Sequence, residues 1–365
     1  MAQEFKTLGD LLRALVAESE LHDTLPDGSV RCYACGHECL IKPGRAGVCR
    51  VRFNEGGKLY APFGYVAGLQ VDPIEKKPFF HALPGALAMS FGMLGCDLHC
   101  SYCQNWVTSQ ALRDPIAGVR PQRVTPQQIV QLALRHGAQV VTSTYNEPLI
   151  TSEWAVAVFR EAIPHGLICS YVSNGNATAR VLDYLQPYVR LYKVDLKTFD
   201  DRKYRKLGGR LEPVLWTIRE LVRRDIWTEV VTLVVPGFND SDEELKQIAD
   251  FLVSVSPDIP WHVTAFHKDY KMTDPEDTRP EHLMRARDIG LKAGLRYVYA
   301  GNLPGMVGDA ENTICPECGT AVVERFGFRI LANRLKRGAC PQCGTKIPGL
   351  WEKDLFHPME KSQTA

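Results

Sequence analysis

Eleven of the twelve cysteines in this 365-residue chain fall into three tight groups, and no other feature restricts its fold as much. The groups are Cys32, Cys35, Cys39 and Cys49; Cys96, Cys100 and Cys103; and Cys315, Cys318, Cys340 and Cys343. Cys169 stands apart in the apolar segment Leu167 to Val172, where a small buried hydrophobe is the default reading. Each group has metal-ligand spacing, so the chain reads as a metalloprotein with three sites. The middle group is the most informative. Its C-x3-C-x2-C pattern supplies three thiolates, whereas a cubane 4Fe–4S cluster has four irons that each want a ligand. Such a nest leaves one iron open to a substrate or cofactor. The alternative is a zinc knuckle or a disulfide set. Zinc modules usually close with a fourth ligand and favour C-x2-C pairs, which weighs against it.

The rest of the composition is that of an ordinary globular protein, with 45% hydrophobic and 23% charged residues. A formal net charge of +1 gives no global attraction to nucleic acid or to an anionic membrane. No apolar run is long enough for a membrane span. Met1 to Asp23 reads as an amphipathic helix with Leu8, Leu11, Leu12, Leu15 and Val16 on one face, without the basic start and apolar stretch of a signal peptide. These features lead us to expect a cytoplasmic protein whose cysteines are not paired as disulfides.

Three domains are expected: 1–60 with the N-terminal helix and a four-cysteine module, 61–301 as the core, and 302–365 as a C-terminal module. The N-terminal C-x2-C-x3-C-x9-C segment has too little core to fold alone, so a metal is its natural staple. Zinc and a second iron–sulfur cluster fit four thiolates equally well. His37 lies inside the segment and could replace one cysteine, but reads better as a neighbouring surface histidine. In the C-terminal module, Cys315-Pro316-Glu317-Cys318-Gly319 and Cys340-Pro341-Gln342-Cys343-Gly344 are two knuckles that aim four sulfurs at one metal. That is a zinc-ribbon pattern, with a rubredoxin-like iron as the alternative.

Between these modules, short apolar runs alternate with helical patterns. The strand candidates are Leu87–Phe91, Val140–Thr144, Ile168–Val172, Leu191–Asp195, Glu229–Val235, Trp261–Phe266 and Tyr297–Ala300. Each has the length and content of a parallel strand buried on both faces. Thr125-Pro126-Gln127-Gln128 and Ser241-Asp242-Glu243-Glu244 are capping boxes, the second opening a helix to about Val255. The repetition predicts an α/β fold with a parallel sheet, open or closed into a full or partial barrel. Chemistry in such folds lies where the strands end.

The residues that follow the strands have both functional and plain readings. Glu147, in Thr144-Tyr145-Asn146-Glu147-Pro148, can accept hydrogen bonds from a cationic amino group, or simply cap the next helix. Ser173 and Asn174, before Gly175, suit close approach to a ribose or carboxylate, and equally a turn. Asp195 and Lys197 are two apart and point the same way while extended, as a binding pair or a structural ion pair. His267 is a hydrogen-bonding candidate or a satisfied loop histidine. Asp72-Pro73-Ile74-Glu75-Lys76-Lys77-Pro78 is either a substrate-facing or barrel-closing segment or a solvated loop.

In order, the cysteine triplet with an aromatic at Tyr102, Glu147-Pro148, Ser173-Asn174-Gly175, Asp195-Leu196-Lys197, Val235-Pro236-Gly237-Phe238-Asn239-Asp240 and His267 resemble the pyruvate formate-lyase activating enzymes. These are radical S-adenosylmethionine (SAM) enzymes, with a G-G-E-P element before which this chain departs, carrying Tyr145 and Asn146 at the glycines. With the flanking Cys32-x2-Cys-x3-Cys, the D-P-I-E-K-K-P run, Cys103-Gln104-Asn105-Trp106, Gly301-Asn302-Leu303-Pro304-Gly305 and the terminal knuckles, nearly the whole chain looks like the AmmeMemoRadiSam-system radical SAM enzymes. The resemblance implies a partial (β/α) radical-SAM barrel and a 4Fe–4S cluster on Cys96, Cys100 and Cys103. It also implies SAM held by Glu147, Ser173, Asn174, Asp195, Lys197 and His267, and its reductive cleavage to a 5′-deoxyadenosyl radical. An electron donor such as ferredoxin or flavodoxin is implied as well, and so are AMMECR-like and Memo-like partners. The substrate does not travel with the motif. A glycyl-radical activase, a non-catalytic iron–sulfur electron-transfer protein and a zinc-dependent interaction scaffold are the competing readings.

Overall fold

The computed structural model describes residues 7–352. Its centre is one eight-stranded sheet: β1 (Gly68–Pro73), β2 (Leu87–Gly92), β3 (Val140–Ser143), β4 (Ile168–Ser173), β5 (Val189–Asp195), β6 (Trp227–Val234), β7 (Trp261–Ala265) and β8 (Val298–Gly301). The strands lie side by side in chain order. From β2 to β8 every pairing is parallel, for example Val140 opposite both Ala88 and Ile168. β1 is antiparallel to β2 and makes the sheet mixed. Among the described residues the edge strands β1 and β8 do not pair, so the sheet is an open arc. All seven expected strands form within two residues of their expected limits, because apolar runs such as Val140–Ser143 are buried on both faces.

Helices return the chain from β3 to β8: α1 (Pro126–Arg135) precedes β3, and α2 (Ser152–Ala162), α3 (Ala179–Leu185), α4 (Leu211–Arg223), α5 (Asp242–Val255) and α6 (Pro280–Ala293) follow in turn. At the start of α1 the full capping box forms, with Thr125 Oγ1 accepting from Gln128 N and Gln128 Oε1 from Thr125 N. Only half of the second box forms. Ser241 Oγ accepts from Glu244 N at 3.3 Å, but the Glu244 carboxylate is taken by Thr198, Phe199 N and Lys203 in the loop after β5.

The N-terminal region departs from expectation. Met1 to Lys6 lie outside the described residues, and the helix is only Leu8–Arg13, opened by a Thr7–Asp10 capping box. Beyond it, Val16–Glu18 is a strand paired with Lys58–Pro62, and His22–Thr24 pairs with Val30–Cys32. Pairing with a neighbouring strand decides this segment, where the β-branched Val16 meets Pro62, over a helical stripe too short to sustain itself.

The run after β1 is not a solvated loop. Ile74, Glu75 and Lys77 are buried, in and just after a short 3₁₀ turn. The following Phe80 and His81 give backbone amides to Glu229 of β6, which also accepts from His262 of β7. The C-terminal module, a three-stranded antiparallel unit of Thr313–Ile314, Ala321–Phe326 and Arg329–Asn333, packs on this segment. Arg325 donates to the Phe80 carbonyl at 2.6 Å and lies 4.3 Å over the Phe80 ring.

Candidate functional site

The triplet of cysteines leaves the end of β2 in a loop that the chain grips from several sides. His99 N donates to Leu207 O at 2.9 Å, and Ser101 O accepts from Lys271 N and Met272 N, both at 2.9 Å. Arg113 ties Cys96 O and Leu98 O to Val48 O in the N-terminal module. Gly95, with φ +98°, enters the loop, and a Cβ there would lie 2.8 Å from Val51 Cγ1.

Among the described residues, three or more ligand atoms mutually within 4.8 Å occur only at the C-terminal cysteines, so the triplet's sulfurs are spread more widely. Donors already face them: Leu98 N is 3.3 Å from Cys96 Sγ, and Ser109 Oγ is 3.2 Å from Cys103 Sγ. Burial pushes the Cys100 thiol up to about 12. The thiolate form therefore depends on cationic metal at this spot.

Asp97, inside the loop and fully buried, accepts from Asn174 Nδ2 at 2.7 Å and Asn176 Nδ2 at 2.8 Å. Glu147 lies beside it, at the end of the β3 connection. It caps a 3₁₀ turn through Leu149 N at 3.0 Å, as the plain reading held. The same carboxylate also accepts from Ser173 Oγ and Asn174 N, each at 2.7 Å. Burial, with the Asp97 charge second, pushes Glu147 up to about 8, so a cationic partner at this carboxylate restores its charge.

At the end of β5, Asp195 lies between two lysines, paired with Lys193 and 3.4 Å from Lys197 Nζ. Burial works to raise the Asp195 carboxyl, but the two ammonium groups outweigh it and hold it below its usual range. Lys197 is held high, since Asp195 and Cys100 outweigh its own burial.

Cys96, Cys100, Cys103, Glu147, Ser173, Asn174, Asp195 and Lys197 all open on one cavity of about 410 Å³. Lys77, from the run read as substrate-facing, barrel-closing or solvated, lines it as well, as do Lys193, Tyr145 and Phe328, which sequence reasoning did not single out as site residues. Lys193 was readable: it precedes Asp195 by two on an extended strand, hence on the same face. His267 is not brought to this cavity; it is exposed beyond β7, with Nδ1 3.4 Å from Lys268 O.

Tyr145 has φ +68°, a left-handed conformation unusual for an aromatic residue. Its ring fits because Gly68 and Gly92 lie beneath it, where a Cβ would come within 3.2 Å and 2.8 Å of Tyr145 atoms. Its hydroxyl is 3.2 Å from Lys77 Nζ, which also pairs with Asp72 at 3.0 Å.

Cys315, Cys318, Cys340 and Cys343 converge on one point, with Cys315–Cys343 and Cys318–Cys340 sulfur contacts of 3.6 Å, and can bind a metal. The two knuckles are near copies. Gly319 N donates to Cys315 O and Gly344 N to Cys340 O, while Thr320 and Thr345 hydroxyls each sit 3.2 Å from a sulfur. The Thr345 hydroxyl leads in pulling the Cys343 thiol down to about 6, toward the thiolate a metal needs.

Residues 92–252 match the family model described as the Radical SAM superfamily. The chain is 37% identical over 335 residues to the uncharacterized protein MJ0808 of Methanocaldococcus jannaschii, covering 90% of this chain and 98% of that one. It is 27% identical over 228 residues to the pyruvate formate-lyase-activating enzyme of Staphylococcus epidermidis, covering 58% of this chain and 88% of that one. A solved domain of a pyruvate-formate lyase-activating enzyme from Bacteroides vulgatus is 20% identical with a TM-score of 0.40, over 44% of this chain and 98% of that one. No described helix is long and apolar enough to cross a membrane.

Proposed function

Because this chain belongs to the radical SAM superfamily, we propose that it is an enzyme that generates a 5′-deoxyadenosyl radical at Cys96, Cys100 and Cys103 and directs it to a substrate in the adjoining cavity. The observation that carries this reading is the opening of the three cysteines, Glu147, Asn174, Asp195 and Lys197 on that single cavity. Bound there, a 4Fe–4S cluster and SAM supply the radical by one-electron cleavage of the sulfonium, the electron coming from a donor of the ferredoxin or flavodoxin class.

The chain's own residues bind, orient and exclude water. Glu147 is the acceptor for the SAM ammonium, held in place by Ser173, Asn174 and Leu149, so that it need not reorganise when the cation arrives. Lys193 and Lys197 flank Asp195 and offer donors for a carboxylate or ribose. Lys77, Tyr145 and Phe328 wall the cavity on the side of β1 and the C-terminal module, and these residues select the substrate. We assign zinc to Cys315, Cys318, Cys340 and Cys343, in keeping with their close sulfur contacts. AMMECR-like and Memo-like proteins are proposed as partners on the resemblance of the whole chain. The identity to the Staphylococcus epidermidis enzyme favours a second reading, activation of a glycyl-radical protein.

Anaerobic reconstitution, reduction with dithionite and assay for 5′-deoxyadenosine test the proposal, with and without the partner proteins. The wild-type chain makes deoxyadenosine and the Cys96→Ala, Cys100→Ala, Cys103→Ala triple variant makes none. Production by that variant would overturn the assignment.

A further inference from the structure

We infer that Cys32, Cys35, Cys39 and Cys49 hold a second iron–sulfur cluster of the cubane class, seated against the loop of the first, and not a single zinc ion. This rests on the radical SAM reading only for the identity of the neighbouring site.

The four thiols share one interior. Cys32, Cys35 and Cys49 are buried and Cys39 is half-buried, and Cys32 is an electrostatic neighbour of each of the other three. His37 Nε2 lies 4.0 Å from Asp97 of the triplet loop. The sulfurs nevertheless stand apart, since no three of them lie mutually within 4.8 Å. A tetrahedral zinc with bonds of about 2.3 Å draws its sulfurs to about 3.8 Å from each other. The C-terminal cysteines of this same chain have that close packing, at 3.6 Å. Neither the N-terminal four nor Cys96, Cys100 and Cys103 include three sulfurs mutually within 4.8 Å. A cubane gives each thiolate its own iron and keeps the sulfurs apart. Arg52, fully buried beside Cys32 and Cys49, is paired with Glu153, so a cation and an anion enter this interior together.

The module is also built onto the triplet loop. Gly36 N donates to Asn176 O at 2.8 Å, and Asn176 in turn donates to Asp97 between Cys96 and Cys100. Val51 and the Cys49 carbonyl close on Gly95, the residue before Cys96.

The test is metal analysis and electron paramagnetic resonance of the full chain, reconstituted anaerobically. We expect roughly eight irons and eight sulfides per chain, falling to about four of each in the Cys96→Ala, Cys100→Ala, Cys103→Ala variant. A Cys35→Ala, Cys49→Ala variant is expected to lose the other four. In the fully reduced wild-type chain the two signals broaden each other through magnetic coupling, and in the triple variant the remaining signal is sharp. A triple variant without iron and sulfide, with zinc retained at both outer cysteine groups, would overturn the inference, and this readout does not depend on the second variant folding. A triple variant that keeps its cluster, beside a wild-type chain that makes no deoxyadenosine, would sink the proposed function and leave the second cluster standing.

Discussion

Asn174 holds Asp97 by its side chain and Glu147 by its backbone: Nδ2 donates to Asp97 Oδ1 and the main-chain N–H to Glu147 Oε2, both at 2.7 Å. One residue at the end of β4 thus fixes both the cysteine loop and the acid proposed to meet SAM. Asn174→Ala leaves a buried carboxylate oxygen without its donor, at a cost of about 1–3 kcal/mol. The variant should unfold at lower urea and surrender its triplet-bound iron faster to a chelator. Equal urea midpoints and equal release rates would show that the bond positions nothing.

Tyr145 sits in a conformation that favours glycine, above two glycines that make room for its ring. Replacing it separates backbone strain from side-chain contact. Tyr145→Ala and Tyr145→Gly both lose the hydroxyl that meets Lys77, but only glycine accepts φ +68° freely. The glycine variant should be the more stable of the two by about 1 kcal/mol, despite its greater freedom when unfolded. Denaturant titration of both decides it, and an alanine variant as stable as the glycine one would remove the strain.

What could be read from the chain beforehand divides along physical lines. The strands were legible because runs such as Ile168–Ser173 are buried on both faces and carry little else. The C-terminal cysteine group was legible because ligand spacing is local. Asp97 was passed over because its role comes from Asn174 and Asn176, seventy-seven and seventy-nine residues away, which no local pattern announces. For Glu75 and Lys77 the run left two readings open, a barrel-closing or substrate-facing segment and a solvated loop; both are buried, and Lys77 lines the cavity. Val16 looked helical until Pro62 supplied a partner strand.

Glu75 should give the fold a pH dependence of unusual sign. Burial raises its carboxyl from 4.5 to about 7, against a smaller opposing pull from Arg325. The folded state therefore binds a proton more tightly than the unfolded chain between these values. Stability is highest below about pH 4.5 as far as this group is concerned, falls as pH rises to about 7, and then levels. At about 1.4 kcal/mol per unit the full loss is of order 3 kcal/mol. Urea midpoints of the wild type and Glu75→Gln, followed from pH 5 to 8, should differ in slope, with the variant the flatter. Parallel curves would exclude an ionising Glu75.

Removing metal from the C-terminal cysteines should loosen more than that module. Cys318 and Cys343 are exposed and open to a chelator, while Trp351 is buried against His81 of the core. Treatment should red-shift tryptophan fluorescence and lower the melting temperature by more than the roughly 2 °C that 1 kcal/mol gives in a large domain. The iron–sulfur absorption of the triplet should persist. An unchanged melting curve would make the metal dispensable.

The bond between Arg325 and the Phe80 carbonyl has a consequence for biogenesis, because 245 residues separate its two ends. During translation the segment after β1 must wait for 245 further residues before its counterpart leaves the ribosome. Until then the wall beside Phe80 lacks its cover, leaving a period in which assembly factors can reach the nascent interior. A segment made later thereby closes one made 245 residues before it.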